Sequence, residues 1–163
     1  MAQVVWPDND SMKSHLRAER IVRHFALGAL SALLVPTLLA EWVLLPALQL
    51  VLIHKLCDSY GQKFVLNAAK AKITLFLSWL FLLSTADAGS VVLRHLPLIG
   101  TGWRRVSTAL IGSASTYAIG KVFILHFESG GTLLSLDPEK IWQYYTEQFV
   151  KAQKEYKPLV LTH

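Results

Sequence analysis

Residues 106–127 read VSTALIGSASTYAIGKVFILHF, and this stretch decides the fold class. Lys121 is its only Lys, Arg, Asp or Glu, and its length matches the ~20 apolar residues that a helix needs to cross a bilayer. Small residues at intervals of four let another helix approach closely. They are Thr108, Gly112, Thr116 and Gly120. The stretch therefore predicts an apolar helix that packs against other helices in a membrane.

Two further stretches are almost free of charge. Glu41 is the only Asp, Glu, Lys or Arg in residues 25–53, and residues 73–86 contain none. Pro36 and Pro46 should break or kink a helix through the first stretch. The second would cover about 21 Å as a helix, less than the ~30 Å hydrocarbon core. Together the three stretches predict an all-α, membrane-associated domain of about five to six helices.

Composition and charge favour lipid over water or nucleic acid. Hydrophobic residues make up 53% of the 163 residues and charged residues 17%, whereas soluble domains have about a quarter charged residues. The net charge of +5 comes from basic residues that flank the apolar stretches, as groups at lipid headgroups do. No DNA- or RNA-binding motif is present, which disfavours nucleic acid as a partner.

A basic amphipathic helix should begin at Met12, capped by Ser11. Its basic stripe contains Lys13, Arg17, Arg20 and His24, while Ala18, Ile21, Val22 and Phe25 fall on another side. We expect the stripe to contact headgroups at the membrane surface, and a merely solvated helix face is the alternative.

The C-terminal region predicts a second amphipathic helix, with Asp137 as cap and Pro138 in its first position. Its apolar stripe contains Ile141, Tyr145, Phe149, Ala152 and Tyr156. The predicted organisation is a flexible leader at 1–10, a membrane-embedded helical domain at 11–135, and the amphipathic helix and tail at 136–163. The first 20 residues lack an apolar core, so no cleavable signal peptide is expected.

The basic segments 1–24, 54–72 and 94–105 constrain topology. All three share the cytoplasmic side if the first two apolar stretches form re-entrant hairpins, with bends near Pro36 and Asp87–Gly89. A three-span protein is the alternative. Both place the chain in the bacterial inner (cytoplasmic) membrane, and the first has the basic segments facing the cytoplasm.

A search for catalytic motifs predicts no enzyme. Gly120-Lys121 is the only Gly-Lys pair, but Ser115 and Val122 occupy the positions where a P-loop needs Gly and Ser or Thr. HExxH and GxSxG motifs are absent, and Cys57 is the only cysteine. We therefore predict no catalytic residue, metal site or cofactor.

Six polar residues are nevertheless candidates for function. Ionisable and polar groups within membrane segments commonly carry function. The candidates are Glu41, Gln49, His54, Lys121, His126 and Glu128. The alternatives are that Glu41 caps a helix, that Lys121 extends its amine to headgroups, and that the histidines make ordinary polar contacts.

Three segments carry a resemblance to a known family. They are LVLIHKL at 50–56 followed by Tyr60-Gly61, LIGT at 98–101 after Pro97, and TYAIGKVFI at 116–124 continuing through HFESGGT at 126–132 to Asp137-Pro138-Glu139. Together they resemble the bacterial family called domain of unknown function 697, over roughly residues 20–150. Glu41, Gln49 and His54 match its acidic, Gln and His-Lys-Leu positions.

This resemblance implies a membrane domain associated with a Ras-like GTPase, and no activity. No GTPase domain is present here, so a GTPase would be a separate chain.

Three hypotheses follow. The leading one is a non-enzymatic membrane scaffold or accessory protein, with the lipid bilayer, a GTPase or another membrane protein, or a second copy as partner. The alternatives are a transport or pore-forming component, with Glu41, Gln49 and His54 along a polar path, and a soluble helical adaptor. Complete enclosure of the apolar stretches beneath a charged surface would favour the adaptor.

Overall fold

The computed structural model describes residues 9–30, 38–85 and 101–161, and this part of the chain is helical without strands. Its helices are α1 (Asn9–Leu30), α2 (Leu38–Ser59), α3 (Leu66–Thr85), α4 (Thr101–Glu128) and α5 (Pro138–Leu161). The predicted all-α class is confirmed. The predicted bends near Pro36 and Asp87–Gly89 lie outside the described residues.

Helix α4 is the centre of the bundle. It packs most extensively on α5 and α1 and also on α2, while α3 packs on α2 and α5. Within the described residues, Ala109–Glu128 is the one segment long and apolar enough to cross a membrane, and most of it is enclosed by the other helices. Residues 106–127, the stretch that decides the fold class, therefore form the core of the bundle and are covered mostly by the other helices.

Helix α1 runs antiparallel to α4. His15 near the start of α1 contacts Glu128 at the end of α4, and the Ser113 hydroxyl donates a 2.6 Å hydrogen bond to the Ala26 carbonyl two to three turns further along α1. The face of α1 toward α4 is made of small residues, because a bulkier row would hold the helices apart. It contains the buried residues Ala18, Val22, Ala26 and Ala29.

Helix α2 runs in the same direction as α4, since Leu45 lies against Gly112 and Tyr60 contacts Glu128. The short turn after α2 reverses the chain into α3. Lys72 donates to the Leu136 carbonyl, and the Phe76 ring stacks on Tyr145 at 5.0 Å, so α3 also contacts the start of α5.

These directions give the bundle two different ends. The start of α1 and the ends of α2 and α4 meet at one end, which contains charged side chains. Toward the other end, at which α4 begins and contains Arg104 and Arg105, lie segments without Lys, Arg, Asp or Glu. They are residues 25–30 of α1, 42–53 of α2, 73–85 of α3 and 106–120 of α4.

Glycines end two helices. Gly61 and Gly130 have positive φ angles of 62° and 81°, which L side chains rarely adopt. The amides of Gly61 and Gln62 donate to the carbonyls of Asp58 and Cys57, the double hydrogen bond of a Schellman motif. Helix α1 begins at Asn9, three residues before the predicted start. Asp10 in its first turn suits the helix dipole, which explains the extension.

The apolar stretches are not wholly enclosed. Leu27, Leu44 and Val51 from residues 25–53 are 42–48% exposed, and so are Leu75 and Leu125 from the other two stretches, at 44% each. The arrangement that would favour a soluble adaptor, with every apolar stretch beneath a charged surface, is therefore not what the described residues show.

Candidate functional site

Three helices meet in ionic contacts at the charged end of the bundle. Glu128 at the end of α4 accepts a 2.6 Å hydrogen bond from the Tyr60 hydroxyl of α2. The same carboxylate oxygen lies 2.6 Å from Nδ1 of His15 on α1. Because a carboxylate only accepts hydrogen bonds, that ring nitrogen carries the proton. The Glu128 side chain is 19% exposed, so one carboxylate joins three helices in a partly dry environment.

A second ion pair lies one turn further along α1. Glu19 pairs with Lys121 of α4, and the two side chains are 22% and 18% exposed. Nε2 of His15 lies 3.9 Å from Glu19, which connects this pair to Glu128. We call Tyr60, Glu128, His15, Glu19 and Lys121 the charged network.

Helical spacing explains the arrangement. His15 and Glu19 are four residues apart, and Lys121 and Glu128 are seven apart, so each pair occupies one helix face. Antiparallel packing then sets the two faces against each other. Tyr60 reaches the network because it follows the last turn of α2, just before Gly61 reverses the chain.

The chemistry available to the charged network is ionic pairing. Burial, more than the adjacent Glu128, raises the pKa of Tyr60 far above its ordinary value of 10.0, so its hydroxyl stays protonated at neutral pH. Across the described residues no group of three or more His, Cys, Asp or Glu side chains could hold a metal ion. The network therefore joins helices and offers no metal ligand set.

A buried polar cluster lies halfway along α4. Gln49 of α2 is fully buried, and its Nε2 is 3.5 Å from both Ser115 Oγ and Thr116 Oγ1, the outer limit of a hydrogen bond. The Tyr145 hydroxyl of α5 donates to Ser115 Oγ at 3.1 Å. Gln49 Oε1 is buried, and it has no hydrogen-bond partner among the residues that the structure describes. Polar contacts of this kind join helices in membranes, although Gln49 satisfies only part of its capacity.

His126 organises the loop after α4. Its Nε2 lies 2.9 Å from the Thr132 carbonyl and 3.2 Å from Ser135 Oγ. Gly131 has no room for a Cβ, which would overlap the His126 ring. These contacts assign His126 to the geometry of the loop.

His54 and Glu41 are placed away from the network. The His54 side chain is 53% exposed and 3.4 Å from Asp58, whereas Gln49 on the same helix is fully buried. Gln49 and His54 therefore do not line one path. Glu41 is in the first turn of α2, and its side chain is outside the described residues.

The basic stripe of α1 faces away from the bundle. Lys13, Arg17, Arg20 and His24 are all exposed, on the side opposite the small residues that contact α4. Arg23, which the sequence analysis did not include, is exposed among them.

The small residues of α4 contact two neighbours. A Cβ at Gly120 would lie 2.5 Å from Val22 Cγ2 of α1, and one at Gly112 would lie 3.4 Å from Leu45 of α2. Thr116 donates to the Gly112 carbonyl and lies beside Gln49. Thr108 lies in α4, and its side chain is outside the described residues.

A comparison with known proteins identifies the family. The chain is 33% identical over 149 residues to magnetosome membrane protein 22 of Magnetospirillum gryphiswaldense, a match that covers 90% of this chain and 76% of the relative. This chain belongs to the magnetosome membrane protein 22 family.

The comparisons support membership of the magnetosome membrane protein 22 family and of no other family. No protein-family model matches the chain, so the resemblance to domain of unknown function 697 is not confirmed. No solved structure matches the chain.

In this family member the sequence alone identified two of the five residues of the charged network. Lys121 and Glu128 stood out because charges are rare in the apolar stretches, but His15, Glu19 and Tyr60 did not. His15 and Glu19 are four residues apart opposite the basic stripe, and this acidic-histidine face was the available signal. Their partners on α4 are more than 100 residues away, so no local pattern could supply the pairing.

Proposed function

We propose that this protein is a non-enzymatic accessory or scaffold protein of a bacterial membrane. The observation that carries the proposal is the 33% identity along 90% of the chain to a relative named as a magnetosome membrane protein. A match of that extent covers the apolar stretches as well as the amphipathic helices. We extend to this chain the membrane residence that the relative's name states.

The two-ended bundle supports membrane residence. Uncharged segments of α1 to α4 meet at one end, and exposed Leu44, Val51 and Leu75 lie on α2 and α3. Exposure of apolar side chains to water costs free energy, whereas contact with lipid removes their apolar surface from water. The uncharged part of α4 between Arg105 and Lys121 spans roughly 22 Å, less than the ~30 Å hydrocarbon core.

The accessory role is supported by how the polar side chains are used. Tyr60, Glu128 and Lys121 bond to other helices of the same chain. Gln49 and His54 point to different sides of α2, so the proposal includes no transport path. The GTPase partner rested on the unconfirmed resemblance and is not part of the proposal.

Location in the inner membrane, with residues 1–24 and 54–72 on the cytoplasmic side, is the starting hypothesis for fractionation. Expression of a tagged full-length chain in Magnetospirillum gryphiswaldense, followed by separation of inner and magnetosome membranes, distinguishes these two destinations. We expect the chain in a membrane fraction.

Extraction tests the proposal itself. An embedded protein stays in the pellet after 1 M-range salt and alkaline carbonate, and a mild non-ionic detergent releases it. A tagged soluble protein and a known multispan protein in the same host serve as controls. A detergent-free, monodisperse protein in the supernatant would overturn the proposal in favour of a soluble adaptor.

A further inference from the structure

The outward face of α1 combines basic and apolar side chains with no free carboxylate between them. Besides the basic stripe it exposes Met12, Leu16 and Leu27, at 41%, 57% and 47%. At 100° per residue, the basic and apolar members together occupy an arc of roughly 140°. The members of this α1 outer face are Met12, Lys13, Leu16, Arg17, Arg20, Arg23, His24 and Leu27.

The charged network leaves this face positive. Helix α1 contains two acidic residues, Asp10 and Glu19. Asp10 is 3.3 Å from Lys13 at the start of the helix. Glu19 turns toward the bundle, where Lys121 neutralises it and His15 lies 3.9 Å away. Without that pairing, Glu19 would place a negative charge at the edge of the arginine cluster.

A groove on this face has the composition of a headgroup site. Arg20, Arg23 and His24 line it together with Leu27 and the paired Glu19. His24 Nδ1 donates a 2.7 Å hydrogen bond to the Arg20 carbonyl, which holds the ring at the edge of the groove beside the two arginines. The groove lies where the uncharged segment of α1, residues 25–30, begins. Leu27 is on the uncharged side of the groove, where the acyl chains of a bound lipid would lie.

We infer that Arg20 and Arg23 bind the phosphate of an anionic phospholipid, with Leu27 against its acyl chain. Arg matches phosphate with paired N–H donors, and basic residues at a membrane surface attract anionic lipid. This inference rests on the proposed membrane residence and names the lipid class that the protein recognises.

The test uses the full-length protein in non-ionic detergent micelles doped with phosphatidylglycerol or, separately, phosphatidylcholine. A ligand that binds only the folded protein raises Tm, so titration of each lipid gives its affinity. We expect phosphatidylglycerol to raise Tm and phosphatidylcholine to do so much less. Each basic residue at a membrane surface contributes about fivefold, so R20Q/R23Q should bind phosphatidylglycerol about 30-fold more weakly.

The matched control removes two exposed lysines from α5, as K154Q/K157Q, and should keep at least a third of the wild-type affinity. Equal weakening of this control would show diffuse net charge instead of a site and would overturn the inference. So would equal Tm shifts with the two lipids, unchanged binding by R20Q/R23Q, or a full shift with inorganic phosphate alone. If any of these results is obtained with a protein that resists carbonate extraction, the lipid inference is wrong but the proposed membrane function is not.

Discussion

Helices α1 and α4 approach each other closely at a single glycine. A Cβ at Gly120 of α4 would lie 2.5–3.1 Å from three atoms of Val22 on α1. Val22 is fully buried and β-branched, so it cannot rotate away easily. The missing side chain at Gly120 therefore sets the distance between α1 and α4.

Gly120→Ala should destabilise the protein because the new methyl group overlaps Val22. Overpacking costs about 1–3 kcal/mol, which exceeds the gain of up to ~1 kcal/mol from replacing a helical glycine. Thermal unfolding in one detergent would show a lower Tm for G120A. In V22A/G120A the two Val22 methyl groups that the new side chain would overlap are absent. The double variant should therefore lose less stability than the sum of the two single losses.

Gly28→Ala is the matched control, since its Cβ would meet only Leu48, at 3.9 Å. It should raise Tm slightly through helix propensity. If G120A and G28A changed Tm equally, the close α1–α4 contact would be wrong.

Tyr60 contributes to the free energy of unfolding at neutral pH, and this contribution is lost at alkaline pH. Burial first, and then the hydrogen bond to Glu128, raises the pKa of Tyr60 above its ordinary value of 10.0. Because the pKa of Tyr60 is higher in the folded than in the unfolded protein, its neutral hydroxyl stabilises the fold below pH 10. This contribution to the free energy of unfolding decreases as the pH rises above 10. At pH 7, Y60F should lose about 1–3 kcal/mol from the missing hydrogen bond to a charged group.

The Tm difference between wild type and Y60F should therefore shrink between pH 9 and pH 11.5. Y145F, whose parent pKa is also raised by burial but whose hydroxyl bonds to Ser115 outside the network, provides the comparison. A difference that stays constant over this range would contradict the Tyr60–Glu128 bond.

At the scale of elements, the register of α1 on α4 is set by size and by charge. Small residues allow the contact, and the pairs His15–Glu128 and Glu19–Lys121 occur only at one register. A shift of one helical turn would leave all four groups without partners in a partly dry region. The charged network therefore specifies alignment more than it adds stability.

Removing one partner of the Glu19–Lys121 pair should cost more than removing both. E19Q or K121M alone leaves a poorly solvated charge, which costs about 1–3 kcal/mol. E19Q/K121M leaves none, so its loss should be smaller than the sum of the single losses. Chemical denaturation of the three variants in detergent measures this coupling.

The exposed Asp10–Lys13 pair is the control, with side chains 90% and 62% exposed. D10N should change stability by less than ~0.5 kcal/mol, because exposed pairs contribute little. Additive losses in the E19Q/K121M cycle would mean that the two side chains do not interact.

At the scale of the whole molecule, the charged end gathers parts of the chain that are distant in sequence. The start of α1, the α2–α3 turn and the end of α4 all lie there. The proposed membrane placement puts this end at the surface and the uncharged end in lipid. The α2–α3 turn and α1 should therefore face the same side of the membrane.

Cysteine labelling in intact cells tests this placement. In a C57A background, cysteines at Lys13 and Lys63 should react with a membrane-impermeant maleimide only when the cytoplasmic side is open. A cysteine at Arg104 should react from outside if the helices span the membrane, and not from outside if they are re-entrant hairpins. Labelling of Lys13 and Lys63 positions from opposite sides would contradict the two-ended arrangement.

Cys57 itself should not interfere with such labelling. It is fully buried, and burial together with the neighbouring Asp58 raises the pKa of its thiol to about 11. Because the thiolate is the reactive form, wild-type protein should remain unlabelled at neutral pH until it unfolds.

The sequence by itself determined the all-helical class, the apolar segments and the sidedness of α1. Apolar stretches, a repeating basic stripe and glycines such as Gly61 act within a few residues, and backbone hydrogen bonding in a helix is equally local. The tertiary structure decided which faces meet. The small residues of α4 could have received any helix, and packing assigned Gly120 to α1 and Gly112 to α2.

The functional candidates divide in the same way. Lys121 and Glu128 could be singled out as rare charges, but only the fold joined them to Glu19, His15 and Tyr60. Contacts across 68 to 113 residues depend on how whole helices pack, and packing energy is shared among many side chains instead of being encoded at one position.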